Sequence, residues 1–252
     1  MEKQRKYGLI GFPLSHSFSK RFFSEKFKSE GLAQCSYELF PLENIHQLPH
    51  LLASEPNLCG LNVTIPYKQA VLPFMDKLQE DAQAIGAVNV IRLEGSKLIG
   101  YNSDAYGFEI SLMQFLGKNN LHKSDIQALI LGTGGASLAV RFVLERIGFP
   151  YRYVSRKKMV GEFTYSEVTP EVMRSHRLVV NCTPLGTYPN EDTFPELPYQ
   201  AVTGNHFFYD LVYNPAETLF LKNARLNGAS TMNGLTMLHL QAERSWDIWN
   251  KK

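Results

Sequence analysis

The chain has 252 residues, of which 44% are hydrophobic and 20% charged, and its formal net charge is +2. That composition suits a globular protein with a sizeable core, in one large domain or two modest ones. It excludes a basic field for nucleic acid, and no Lys/Arg block suggests a membrane surface.

The opening six residues, Met-Glu-Lys-Gln-Arg-Lys, are followed by an apolar run only from Tyr7 to Ile10. This run is too short for a signal peptide or a membrane span. Three scattered cysteines, Cys35, Cys59 and Cys182, make neither a disulfide framework nor a CxxC metal pair. A cytoplasmic protein without a metal site is expected.

Tyr7-Gly-Leu-Ile-Gly11 predicts a first strand, leading into the hydroxyl-rich turn Phe12 to Ser19 and a helix from about Lys20 to Glu30. Tyr37 to Phe40 predicts a second strand, Asn44 to Ala53 a helix, and Gly60 to Ile65 a third strand. Pro66 stops that strand and can begin a helix, since its missing N–H is one the first turn does not use. Val88–Leu93 and Lys97–Tyr101 flank Glu94-Gly-Ser96 and predict a hairpin.

After Asp104 a helix runs to about Gly117. Later strands are expected at Ala128–Leu131, Tyr151–Ser155, Arg177–Asn181 and Phe207–Leu211, with helices at Thr218–Asn227 and Leu235–Trp249. Strand–helix alternation makes the fold α/β, in two α/β domains with a ligand cleft between them. The expected division is 1–103 plus 235–252 and 104–234, the last helix crossing back to the first domain.

Residues 128–141 organise the second domain. An apolar strand, Ala128 to Leu131, meets Gly132, Gly134 and Gly135, and a helical pattern apolar at 138, 139, 142 and 143 follows. Strand, glycine turn and helix form a dinucleotide-binding corner, in which missing Cβ atoms admit a pyrophosphate to a helix N-terminus. The spacing departs from the usual fingerprint, because Gly135-Ala136-Ser137 follows Gly134 directly; an ordinary packed turn is the other reading.

NAD-preferring enzymes place an acid about 20 residues beyond the glycines. Here the second strand of this half ends in Ser155-Arg-Lys-Lys158. A hydroxyl and three cations suit a 2′-phosphate, with Arg156 placed for a bidentate grip, and predict NADP. The same residues also suit a solvated basic loop.

Asn62-Val-Thr-Ile-Pro-Tyr-Lys68 ends a strand whose period of two sends Asn62 and Thr64 to one face. Lys68 follows at a helix start, where the dipole disfavours a cation and a proton is easily moved. A surface lysine fits equally. Asp104, after Gly100-Tyr-Asn-Ser103, has the pattern of a helix cap as well as of a catalytic acid.

The order and spacing of these segments resemble the shikimate dehydrogenase family over nearly the whole chain. The segments are the Gly-x-Pro-x-x-His-Ser-x-Ser run at 11–19, Gly60 to Lys68, Gly86-Ala-Val-Asn89, Gly100 to Asp104 and Gly132 to Ala136. Asn181-Cys-Thr-Pro-Leu-Gly186, Asp210-Leu-Val-Tyr-Asn-Pro215 and Asn233 to Leu238 with Gln241 complete them.

The resemblance implies a substrate-binding domain with a mostly parallel sheet and a Rossmann-like NADP domain. It implies an oxidoreductase that interconverts 3-dehydroshikimate and shikimate in aromatic amino-acid biosynthesis, as a monomer or homodimer. Ser17, Ser19 and Tyr213 would hold the substrate carboxylate. Asn62, Thr64, Asn89, Asp104 and Gln241 would bind ring hydroxyls, and Lys68 and Asp104 would be the catalytic pair. Gly132, Gly134, Gly135, Ala136, Ser155, Arg156, Lys157, Thr183 and Gly234 would hold NADP.

Lys20, Val90 and Ala105 stand where the family usually has Pro, Thr and Gly, and Ser155-Arg-Lys157 replaces the more usual Asn-Arg-Thr. A catabolic quinate/shikimate dehydrogenase that accepts NAD is the competing enzyme. A nucleotide-sensing protein without catalysis is the competing class.

Overall fold

The computed structural model describes residues 4–14, 17–117, 126–158 and 162–250; Ser15 and His16 of the hydroxyl-rich turn lie outside them. The chain divides into two compact units, Met1–Ser103 with Gln241–Lys252 and Asp104–Leu240.

The first unit holds the strands β1 (Arg5–Gly11), β2 (Cys35–Pro41), β3 (Leu58–Val63), β4 (Lys77–Leu78), β5 (Val90–Glu94) and β6 (Lys97–Tyr101). They form a six-stranded sheet in the order β2-β1-β3-β5-β6-β4. Strand β1 lies between β2 and β3, both parallel to it. Its last five residues are buried, as a strand covered on both faces requires. Helices α1 (Phe18–Ser29) and α2 (Leu48–Ser54) make the crossovers. Strand β5 pairs antiparallel with β3 and with β6, turning at Gly95. The pairing Asn62↔Val90 therefore brings Asn89 to the end of β3.

Period two sorts the first unit's core. Ile10, Leu61, Val63 and Ile91 face Leu48 and Leu51 on one side of the sheet. Tyr7, Leu9, Tyr37 and Val90 face Phe23 and Phe27 of α1 and Ile248 and Trp249 of α9 (Leu235–Asn250) on the other. Trp249 also donates its indole N–H to the Ile91 carbonyl at 3.0 Å. Truncating so embedded an aromatic to alanine costs about 3–5 kcal/mol.

The proline-started helix is α3 (Tyr67–Ala70), one turn long. Two short elements, β4 and α4 (Glu80–Ile85), have no counterpart in the sequence expectation.

The second unit's strands are β7 (Ala128–Leu131), β8 (Tyr151–Ser155), β9 (Phe163–Thr164), β10 (Leu178–Asn181), β11 (Phe207–Asp210) and β12 (Ser230–Met232). Their sheet is wholly parallel, in the order β9-β8-β7-β10-β11-β12. Helices α5 (Asp104–Gly117), α6 (Gly135–Ile147), α7 (Pro170–Ser175) and α8 (Leu219–Leu226) complete it. Numbered from β7, the order is the doubly wound 3-2-1-4-5-6, whose direction switches between β7 and β10. The unit boundary falls inside α9, at Leu240/Gln241. No helix among the described residues is long and apolar enough to cross a membrane.

Candidate active site

In the first unit a buried polar network interrupts the aromatic face of the sheet. Asn62 is 5% exposed. Its Nδ2 donates to the Asn89 carbonyl at 3.3 Å and to Ser245 Oγ at 3.0 Å, while its Oδ1 accepts from the Tyr37 hydroxyl at 2.8 Å. Asn89 Nδ2 donates to Ser103 Oγ at 3.0 Å, and the Ser103 N–H donates to Asn89 Oδ1 at 2.7 Å. Ser103 Oγ also donates to Gln241 Oε1 at 3.4 Å, and Ser245 Oγ donates to the Gln241 carbonyl at 2.8 Å. Asn62, Asn89 and Gln241, distant in sequence, are thus neighbours in one hydrogen-bonded cluster.

Thr64 stands just past β3, where its N–H donates to the Ile10 carbonyl at 2.9 Å. A Cβ at Gly11 would meet Thr64 Cγ2 at 2.4 Å, so only glycine lets the end of β1 close on it. Lys68 lies on α3, and its carbonyl accepts from the Val88 N–H at 2.7 Å, tying it to the segment that carries Asn89. The dipole argument for Lys68 fails on this geometry: it is the second residue of a one-turn helix, which has no macrodipole of consequence.

Ser17 caps α1, accepting from the Lys20 N–H at 3.4 Å. The cap uses an oxygen lone pair and leaves the hydroxyl proton to donate. Ser19 stands on the first turn of α1. Burial pushes the Tyr37 phenol far above its ordinary value.

In the second unit Asp104 is the first residue of α5, 6% exposed, and directly follows Ser103. Its carboxylate belongs to the first helical turn, where a negative charge is favoured. Gly132 follows β7 at φ +95°, and a Cβ there would meet Thr183 Cγ2 at 2.9 Å. These two residues bracket the switch point of the sheet.

Gly134 caps α6 without a side-chain bond, and nothing lies within 4 Å of where its Cβ would be. Gly135 and Ala136 open the helix, whose first-turn N–H groups have no intrahelical partner and suit a pyrophosphate. The cradle fits a dinucleotide. Gly234 donates its N–H to the Val212 carbonyl at 3.0 Å, and Tyr213 is 36% exposed in the adjoining loop.

Thr183 is held by Asn181 Oδ1, which accepts from its N–H at 3.0 Å and its hydroxyl at 2.6 Å. Asn181 Nδ2 in turn donates to Asp210 Oδ1 at 2.9 Å. Burial raises Asp210 from 3.8 to about 6, against three hydrogen bonds that favour its charge.

At the end of β8 the three expected cations are not equivalent. Lys158 pairs with Glu167 at 2.5 Å, and that bond with the Thr164 N–H holds the Glu167 carboxyl down to about 2. Arg156 and Lys157 are exposed, and the Ser155 hydroxyl donates to the Lys157 carbonyl.

The likenesses to known proteins agree with this geometry. A family model described as the shikimate dehydrogenase substrate binding domain matches residues 9–91. A protein of Carboxydothermus hydrogenoformans named shikimate dehydrogenase (NADP(+)) is 37% identical over 259 residues, covering 96% of this chain and 90% of that one. The chain belongs to the shikimate dehydrogenase family.

Two solved structures extend the family likeness. Shikimate 5-dehydrogenase from Thermus thermophilus, in complex with NADP(H) and shikimate, superposes with a TM-score of 0.83 at 30% identity, covering 98% of this chain and 94% of that one. Quinate dehydrogenase from Corynebacterium glutamicum, in complex with NAD, superposes with a TM-score of 0.87 at 25% identity, covering 99% and 94%. The two-domain α/β fold, with a Rossmann-like second sheet, is that of the family.

Of the departures from the family pattern, Lys20 is accounted for: its ammonium pairs with Glu38 on β2 at 2.7 Å. Tyr37 and Ser245 were not singled out from the sequence, and Ser103, Asn181 and Asp210, though within the quoted segments, were given no role there. Ser245 had a signal, a polar residue four positions after Gln241 on one helix face. Asn181 and Asp210 had another, polar residues ending consecutive apolar strands.

Proposed function

We propose that the protein catalyses the reversible NADP-dependent reduction of 3-dehydroshikimate to shikimate, a step of chorismate and aromatic amino-acid biosynthesis. The observation that carries this reading is the buried cluster of Asn62, Asn89 and Gln241, which offers amide groups to ring hydroxyls beside the segment bearing Lys68. The first unit binds the substrate and the second binds the cofactor.

Ser17, Ser19 and Tyr213 donate to the substrate carboxylate. Asn62, Thr64, Asn89, Asp104 and Gln241 hold the ring hydroxyls. Gly132, Gly134, Gly135 and Ala136 cradle the pyrophosphate. Ser155, Arg156 and Lys157 meet the 2′-phosphate, and Thr183 and Gly234 hold the rest of the cofactor.

When bound, NADPH supplies the hydride. The chain's own residues orient the ring and move the proton. Negative charge grows on the carbonyl oxygen, and the Lys68 ammonium donates the proton that neutralises it. Asp104 accepts from a substrate hydroxyl and orients the lysine.

The test is turnover of shikimate with NADP and then NAD, followed by reduced-cofactor absorbance, with quinate in parallel. Fast turnover of shikimate with NADP and little with NAD is the expected result. The likeness to a quinate dehydrogenase bound to NAD favours one second reading, and quinate oxidation with NAD at comparable kcat/KM would establish it instead. NADP binding with no turnover of any hydroxy acid would indicate a sensor.

A further inference from the structure

Tyr37 is a buried tyrosine on β2, 3% exposed, whose hydroxyl bonds the Asn62 side chain on β3. Asn62 Nδ2 must face the Asn89 carbonyl, because that oxygen can only accept. Oδ1 therefore faces Tyr37, and the phenol must donate its single proton there, at 2.8 Å. The proton order is fixed from Tyr37 to Asn62 to the Asn89 carbonyl. The phenol ring is itself held, stacked on Phe23 with centroids 4.7 Å apart.

We propose that Tyr37 is a positioning residue for the substrate: its hydroxyl sets the amide orientation of Asn62. This rests on the reading that Asn62 contacts the substrate. Asn62 then presents a carbonyl edge of fixed direction to a ring hydroxyl.

The experiment is steady-state kinetics of Tyr37→Phe, Asn62→Ala and the double variant, with shikimate and NADP varied in turn. Tyr37→Phe is expected to raise the KM for shikimate roughly tenfold, the scale of one buried hydrogen bond. The KM for NADP should stay within about twofold, which separates positioning from general loosening of the fold. In the Asn62→Ala background Tyr37→Phe should add less than about twofold, because the group it acts through is gone.

A shikimate KM unmoved by Tyr37→Phe, or an effect of full size in the Asn62→Ala background, overturns the proposal. Wild-type protein that turns over no shikimate overturns the underlying reading instead. Should Tyr37→Phe fail to fold, Ser245→Ala loosens the other side of the same amide. It is expected to raise the shikimate KM by roughly threefold with the NADP KM unchanged, and an unmoved shikimate KM there refutes the role of amide orientation.

Discussion

The Thr218 hydroxyl donates to Asp210 Oδ2 at 2.6 Å, and Asn181 Nδ2 and the Val212 N–H both donate to the other carboxylate oxygen, at 2.9 and 3.0 Å. Asp210 thus links the loop carrying Thr183 to the cap of α8. It is 0% exposed, and burial outweighs the three donors, lifting its pKa from 3.8 to about 6.

A carboxyl whose folded pKa is raised binds more protons folded than unfolded. Its contribution to stability is greatest below 3.8 and is lost as pH rises through about 6. The gap is worth about 3 kcal/mol. Asp210→Asn stays neutral throughout, so wild-type Tm should fall by several degrees relative to the variant between pH 4 and pH 7, roughly the scale of that energy. Parallel Tm curves for the two proteins would show that Asp210 does not carry this titration.

Gly132→Ala strikes the switch point twice. It forces a side chain into φ +95°, and it drives a Cβ against Thr183. Strain of this kind costs about 1–3 kcal/mol, and here it displaces the loops proposed to hold the cofactor. Fluorescence titration should show NADP Kd raised by roughly tenfold or more, with Tm lowered. A variant that binds NADP as wild type does would remove Gly132 from the site.

Much of this was legible because local chemistry and topology agreed. An apolar tetrapeptide ended by glycines, Ala128–Leu131, is too short for a helix and reads as a strand buried on both faces, and glycine at 132 is demanded by both dihedral and contact. The side of β3 on which Asn62 lies followed from period two alone.

What escaped had no periodic signal. Strands β4 and β9 have two residues each, and no pattern can show in so few. Tyr37 resembles any aromatic in a strand until register and its hydroxyl bond set it beside Asn62. Lys158 matched its neighbours in charge, but a salt bridge to Glu167, nine positions on, sets it apart.

That salt bridge distinguishes Lys158 from Arg156 and Lys157, the two residues proposed to meet the 2′-phosphate. Arg156→Ala should raise the KM for NADP roughly ten- to a hundredfold, the value of one charge-assisted bond, and leave NAD little changed. Lys158→Ala should move either KM less than Arg156→Ala does, because the Lys158 ammonium is turned to Glu167. A larger effect from Lys158 than from Arg156 would reverse this assignment.

Lys68→Ala removes the proton donor proposed for the carbonyl oxygen. General acid catalysis contributes about 10²–10⁴-fold, so kcat should fall within that range while NADP affinity holds. Lys68 sits on a single turn braced by its carbonyl's bond to Val88, a bond the substitution leaves intact. An unchanged kcat in folded protein would refute the role.

Tyr7 offers a test of packing alone. Its ring is 0% exposed, stacked on Trp249 with centroids 4.8 Å apart and edge-on to Trp246 at 5.5 Å. Its hydroxyl is buried with no hydrogen-bond partner among the described residues, and burial raises its pKa far above the ordinary value. An unmade buried hydrogen bond costs about 1–3 kcal/mol. Tyr7→Phe deletes the one atom that bears this cost and keeps the ring contacts. Its Tm should therefore rise by roughly 2–4 °C per kcal/mol recovered, with kcat unchanged. A lower Tm would mean that the hydroxyl is satisfied in solution, by a bound water or by movement of Arg5, whose guanidinium lies 5.5 Å from the ring centroid.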